Sequence, residues 1–291
     1  METFVAQIMN GLATGGIYAL LVLGMNLLVL VRNIVHHSYS HIVMLSMAMG
    51  WLTLQKSNNN IILAIIVTLI SGIVFTIITE PIFRPLSKRG AELETIVLAM
   101  GVGIIITEIM SQFINGGANL AYPSSMTGAG LQINIGLISF SLANILTLIG
   151  CVLAAVILMW FLFRTREGRA IRAMAQNLRV AKMLGIPYGK TGILGFGIAG
   201  LLAGVIAILC IMTLGTNTPS LGDTFAVKAI ILMLFAGMGN LKGGLISALF
   251  MGLVEAMALA YLPGRWTEAV FYGVIMLVII WKPQGLFGSQ H

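Results

Sequence analysis

Three of the four histidines, His36, His37 and His41, fall within six residues of one another. Imidazole is a common zinc ligand and the usual general base near neutral pH. A zinc site would need a further Cys, His or acidic ligand at a suitable spacing. None lies nearby, so the stretch reads as a polar break between helices, with no metal expected. Ser38 and Ser40 beside His41 suggest a nucleophile and its base, yet no orienting acid accompanies them. The run Gly185-Ile-Pro-Tyr-Gly-Lys-Thr191 superficially resembles a phosphate-binding loop. It has three residues between its glycines where that loop has four, and it leads into an apolar run. No catalytic residue, cofactor or nucleotide site is expected on this chain.

Ionisable residues inside apolar runs are rarer and more informative. Glu255 is the leading candidate, followed by Glu108 and Lys228. A Glu–Lys pair, a proton relay and a structural hydrogen bond between helices all fit, and the last is the simplest. Asp223 and Thr224 read as the N-cap and first residue of the helix that follows. Cys151 and Cys210 both sit within apolar runs and read as small buried residues.

The elements that position these groups follow from composition. Of 291 residues, 58% are hydrophobic and only 9% are charged. A soluble domain carries about a quarter charged residues, so this chain cannot clothe a water-facing surface. In lipid every backbone polar group must be satisfied within its own segment, which makes the apolar runs helices. At about 20 residues per span, crossings fall near 5–31, 41–54, 61–79, 94–114, 141–163, 191–214, 224–238, 243–262 and 266–281. The second and seventh are short and fit broken or re-entrant segments, giving eight to ten crossings. The first run lacks a basic start and is too long for a cleavable signal. The expected fold is an all-α polytopic transmembrane bundle, a single domain over 1–291. The Gly/Asn/Ser-rich outer stretch 115–140 is long enough to form a cap or a docking surface.

Lys and Arg collect on the cytoplasmic side of membrane proteins. Arg84, Lys88 and Arg89 share one connection, and Arg164, Arg166, Arg169, Arg172, Arg179, Lys182 and Lys190 share another. Following the crossings from these anchors also puts Arg32, Lys242 and Lys282 inside. Only Lys56, Arg265 and Lys228 are left elsewhere, with the N-terminus outside and the C-terminus inside. The net charge of +7 is then a topology signal, and nucleic acid is not needed to explain it.

The segment 165–188 is too long for a simple turn between helices. It reads as one amphipathic cytoplasmic helix, roughly 167–186, ending at Gly185 before Pro187. Its apolar stripe runs through Ala170, Ile171, Ala173, Met174, Ala175, Val180, Ala181, Met183 and Leu184. A helix on anionic lipid favours Trp, Phe and Leu. The small residues here suit docking against a protein partner instead.

This segment, with Gly168-Arg-Ala-Ile-Arg-Ala-Met-Ala-Gln-Asn177 and Ala181-x-x-Leu-Gly-Ile186, resembles the coupling loop of branched-chain amino-acid ABC permeases. Asn10-Gly-Leu-Ala-Thr-Gly-Gly-Ile-Tyr-Ala-Leu-Leu-Val-Leu-Gly-Met-Asn26 is similar to the first helix of that family. Gly252-Leu-Val-Glu-Ala256, Lys282-Pro-Gln-Gly-Leu-Phe-Gly288 and the Gly-rich turn 237–244 are similar to its last part. The resemblance spans nearly the whole chain and implies a type II ABC importer-like permease in a bacterial or archaeal cytoplasmic membrane. It also implies a second permease subunit, two cytoplasmic ATPases that hold the ATP, and an extracytoplasmic solute-binding protein. On this resemblance Arg169, Arg172, Ala173, Gln176, Asn177, Arg179 and Gly185 are the expected ATPase-coupling residues. Asn33, His37, Tyr39, His41 and Glu255 are expected along the translocation path. Where the family commonly has an Asn-Phe-Ala-His-Gly-like stretch, this chain reads Asn33-Ile-Val-His-His-Ser-Tyr-Ser-His41. That departure bears on the solute and leaves the fold untouched. Branched-chain or related hydrophobic amino acids are the expected cargo, with urea, amides or small carboxylates as alternatives. An H⁺- or Na⁺-coupled secondary transporter would instead need essential intramembrane acids, and a non-transporting scaffold would show no flux.

Overall fold

The computed structural model describes residues 2–128, 131–135, 138–282 and 284–287. Within them the chain forms α1 (Glu2–Arg32), α2 (Tyr39–Lys56), α3 (Ile61–Arg89), α4 (Glu92–Phe113), α5 (Ser124–Thr127), α6 (Leu142–Arg164), α7 (Arg166–Gln176), α8 (Leu178–Met183), α9 (Tyr188–Leu214), α10 (Leu221–Ala236), α11 (Leu241–Tyr261) and α12 (Thr267–Trp281). Four short strands, β1 (Leu120–Ala121), β2 (Gln132–Ile135), β3 (Ile138–Ser141) and β4 (Thr216–Asn217), complete it. β1 pairs antiparallel with β4, and β2 with β3. β1, α5, β2 and β3 fall in the stretch 115–140, of which 129, 130, 136 and 137 lie outside the described residues, and β4, from the α9–α10 connection, pairs with it through β1. Pro283 and Gly288 of the C-terminal motif also lie outside them.

All nine apolar runs are helical. Among the described residues seven helices are long and apolar enough to cross a membrane, and the two runs that fall short are α2 and α10. α1 lies at the centre, with 83% of its most apolar stretch buried, against α11, α9, α6 and α10. A helix apolar on every side belongs inside a bundle. α3, α4, α6 and α12 ring it and leave large apolar side chains exposed, among them Ile62, Ile70, Ile104, Val156 and Leu277. An apolar belt of this kind faces hydrocarbon. Pro81 and Pro85 lie inside α3, which continues past both.

Glycine sets the closest helix approaches, as expected where packing must replace the hydrophobic drive. Gly11 and Gly15 of α1 meet the backbone of α11 at Gly252 and Leu253, and a Cβ at Gly11 would lie 2.9 Å from Leu253 Cα. Gly72 of α3 meets Gly200 and Gly204 of α9, where an added Cβ would lie 2.7 Å from the Gly204 nitrogen. Gly252→Val is expected to force α1 and α11 apart, at about 1–3 kcal/mol. A thermal midpoint in detergent equal to that of the wild type would contradict this packing.

Two expectations are corrected. Segment 165–188 holds two helices, because Asn177 is extended (φ −155°) and breaks the run. α10 begins at Leu221 behind Ser220, so Asp223 belongs to its first turn and is not its N-cap. Cys151 and Cys210 are buried and free.

Candidate functional site

The basic segment is anchored at both ends. The Thr165 hydroxyl accepts the Gly168 N–H at 3.0 Å and caps α7. Gly168 lies flat on the end of α6, where a Cβ would come within 2.6 Å of Leu162 Cα. Ile171 and Met174 point inward, and Met174, Ala181 and Tyr188 form a small core of their own with Leu178 and Ile186. Asn177 caps α8 by accepting the Arg179 and Val180 N–H groups at 3.0 and 3.1 Å. α8 then closes with Ile186 N–H bonded to Ala181 O and Gly185 N–H to Lys182 O. That is a Schellman arrangement, and Gly185 supplies its left-handed residue (φ +82°).

The break at Asn177 divides the apolar stripe. Ile171, Met174 and Ala181 are buried, whereas Val180, Met183 (80% exposed) and Leu184 (76% exposed) project outward. Arg169, Gln176, Asn177, Arg179 and Gly185 are exposed as well. Ala173 and Arg172 are half-buried, and the Arg172 guanidinium lies 4.6 Å from the Phe163 ring centroid. Ala175 faces a cavity of about 520 Å³, whose other walls include Leu30 and Asn33, Ile34 from the α1–α2 link, and Ile230 and Met233 of α10. The lining is largely apolar.

Beneath this segment is an ionic hub. Arg32, the last residue of α1, is buried, pairs with the buried Glu80 of α3, and donates to the Tyr188 carbonyl at 3.2 Å. Its guanidinium sits 3.8 Å from the Tyr188 ring centroid. Arg84 Nε donates to both Glu80 oxygens at 3.1 Å, and the Ser87 hydroxyl donates to the Arg32 carbonyl. Tyr188 therefore ties the small core of α7–α8 to α1 and α3. Sequence reasoning missed Glu80. The apolar run reads as ending at Thr79, and Arg84 reads as part of a basic connection, so Glu80 falls just outside the expected span.

A second polar zone lies at the starts of the two short helices. Tyr39 opens α2 and donates its hydroxyl to Ala199 O at 2.9 Å, near the midpoint of α9. Gly24 is flush against the same ring. α2 therefore starts well inside the bundle, and the link 33–38 climbs back from Arg32 to reach it. Irregular backbone at that depth is tolerated only where protein or water satisfies it. The link's own backbone does so in part, with the Val35 and His36 carbonyls accepting the His37 and Tyr39 N–H groups at 3.2 and 3.0 Å. The His36 ring braces it by bonding Thr79 Oγ1 at 3.2 Å and Ser38 Oγ at 3.1 Å. His37 and His41 stack with ring centroids 5.4 Å apart, and His41 Nε2 meets Asp223 Oδ1 at 2.9 Å. Among the described residues, no three His, Cys, Asp or Glu side chains are grouped to hold a metal ion.

Of the residues expected along a path, His37 and His41 come together. Asn33, in a left-handed conformation (φ +55°), borders the apolar cavity at the other end of the link. Tyr39 is fully buried in helix packing. Glu255 pairs with Lys228, which also donates to Tyr18 Oη at 3.0 Å and so joins α1, α10 and α11. Glu108 is exposed and accepts from Gln112 at 2.8 Å. Asp223 was missed as a partner because a purely local reading made it a cap.

Comparison with known proteins identifies the family. The chain is 24% identical over 99% of its length to the high-affinity branched-chain amino acid transport system permease protein BraD of Pseudomonas aeruginosa, covering 97% of that protein. It is 27% identical, over 99% of this chain and 96% of the relative, to the corresponding permease LivH of Salmonella typhimurium. The autoinducer 2 import system permease protein LsrC of an Enterobacter strain is 25% identical over 92% of this chain and 76% of its own. No solved structure matches the chain. Residues 7–280 match the family described as branched-chain amino acid transport system / permease component, so this multi-pass membrane protein belongs to that permease family.

Proposed function

We propose that the chain is one membrane-spanning half of an ATP-driven importer, and that its solute is a branched-chain or closely related apolar amino acid. A second permease subunit completes the pathway, two cytoplasmic ATPases bind and hydrolyse ATP, and a solute-binding protein delivers the cargo from outside. In this reading the ends carrying Arg32, Arg84, the α7–α8 segment and the C-terminus face the cytoplasm, with the N-terminus outside. The chain itself carries no cofactor and no catalytic residue.

The observation that carries this reading is the two-sided design of α7–α8. One side presents Val180, Met183 and Leu184 to the outside among basic residues, and the other places Ala175 in the wall of the apolar cavity. Exposed large apolar side chains at a basic surface suit a groove on another protein. A motor that pulls on this segment also changes the shape of the cavity. The names of the relatives support an amino acid as cargo, and the apolar lining accords with an aliphatic side chain. The relative LsrC is named for the import of autoinducer 2, a different solute.

Ala175→Trp tests the coupling. Its indole would occupy the cavity while the segment's outer face stays intact. ATP-dependent leucine uptake is expected to fall at least about tenfold, with the protein inserted at its normal level. Unchanged uptake would sink the assignment.

A further inference from the structure

We propose that Asp223, with its carboxylate oriented by His41, accepts the α-ammonium group of the translocated amino acid. This rests on the amino-acid reading above and names the residue that would select for it.

Depth is the first step. Lys228 reaches Tyr18, which lies at the middle of the central helix α1. Asp223 precedes Lys228 by five residues on α10, about 7.5 Å along the axis. The hydrocarbon half-thickness is about 15 Å, so Asp223 sits at membrane depth. Its side chain is nonetheless 56% exposed in this chain. An ionised carboxylate directed at lipid is strongly disfavoured, so such groups face a water-filled pathway or a partner subunit. No Lys or Arg among the described residues pairs with it. Glu80 is engaged by Arg32 and Arg84, and Glu255 by Lys228. The sole hydrogen bond of Asp223 among the described residues uses one oxygen, leaving the other open.

The second step is rigidity. His41 is fully buried and lies between two glycines contributed by different helices. A Cβ at Gly103 of α4 would come 2.9 Å from its Cε1, and one at Gly222 of α10 would come 2.7 Å from its Cδ2. The ring cannot swing away. Because a carboxylate only accepts, Nε2 carries the proton that binds Asp223, while Nδ1 is buried without a partner. His37 stacks on the same ring. A carboxylate held at fixed geometry, at membrane depth, with one free oxygen, matches a single ammonium group better than a mobile surface acid would. His41 is a positioning residue, and Asp223 is the one that touches the solute.

The test uses cells carrying the complete transporter, with leucine, its α-keto acid and propionamide as labelled probes. Uptake is normalised to the amount of transporter in the membrane and to a strain lacking this chain. Leucine uptake in Asp223→Asn is expected to fall about tenfold or more, and the leucine-to-keto-acid ratio to fall with it. Asp223→Glu is expected to recover part of the loss. His41→Leu should show an intermediate loss, and His41→Gln, which keeps a donor near the Nε2 position, should restore uptake. Wild-type leucine uptake in an inserted Asp223→Asn protein overturns the assignment and leaves the amino-acid reading standing. Equal uptake in His41→Leu and wild type overturns the positioning role. If the wild type carries the keto acid or the amide in place of leucine, or none of the three probes, both readings fall.

Discussion

Glu80→Ala is expected to destabilise the protein by about 3–5 kcal/mol, the cost of leaving a buried charge without its partner. Glu80 and Arg32 are both fully buried, and Arg84 relies on the same carboxylate. Removing Glu80 strands the Arg32 guanidinium between α1, α3 and the start of α9, with the Tyr188 carbonyl and ring as its remaining neighbours. Glu80→Gln keeps the shape and one acceptor, so a smaller loss is expected. Thermal unfolding of the purified protein in detergent checks this, and the expected order of midpoints is wild type, then Glu80→Gln, then Glu80→Ala. Equal midpoints would mean that water reaches Arg32 and that the hub is not a buried one. The double variant Glu80→Ala with Arg32→Met should recover stability relative to Glu80→Ala alone, because apolar replacement of both partners removes the stranded charge.

A second large effect is expected at the tip of α8. Met183 and Leu184 are the most exposed apolar pair on the basic segment. If they fill a groove on the ATPase, aspartate at both positions puts two charges into a desolvated contact. Truncating such central anchors commonly costs 2 kcal/mol or more, about thirtyfold in affinity. Met183→Asp with Leu184→Asp should therefore lose co-purification with the ATPase and lose ATP-dependent uptake together. Insertion and thermal midpoint should stay close to wild type, since neither side chain supports the Met174–Ala181–Tyr188 core. Normal co-purification with normal uptake would place the docking surface elsewhere on the chain.

Much of this architecture was legible in the sequence, for physical reasons. A chain this apolar must satisfy its backbone locally, so every long run became a helix, and the two short runs proved to be α2 and α10. Gly11, Gly15, Gly200 and Gly204 form the tight crossings. What escaped depends on distant partners. Glu80 became a buried anchor because Arg32, 48 positions away in sequence, folds back onto it. Asp223 looks like a cap until His41, 182 positions away, arrives beside it. Asn177 did carry a local signal. It is a good N-cap residue in mid-segment, but the apolar pattern continued through it and hid the break. That break divides the stripe, so Met183 and Leu184 stay exposed while Ile171, Met174 and Ala181, which the stripe alone placed on the same docking face, turn into the chain's own core.

We propose that this permease works as part of an ATP-driven importer. Leucine uptake into proteoliposomes holding the chain, its paired permease and the ATPases, with the binding protein outside, tests it most directly. Uptake should require ATP on the ATPase side and continue when H⁺ and Na⁺ gradients are collapsed. Uptake that proceeds without ATP and follows an ion gradient would contradict the account.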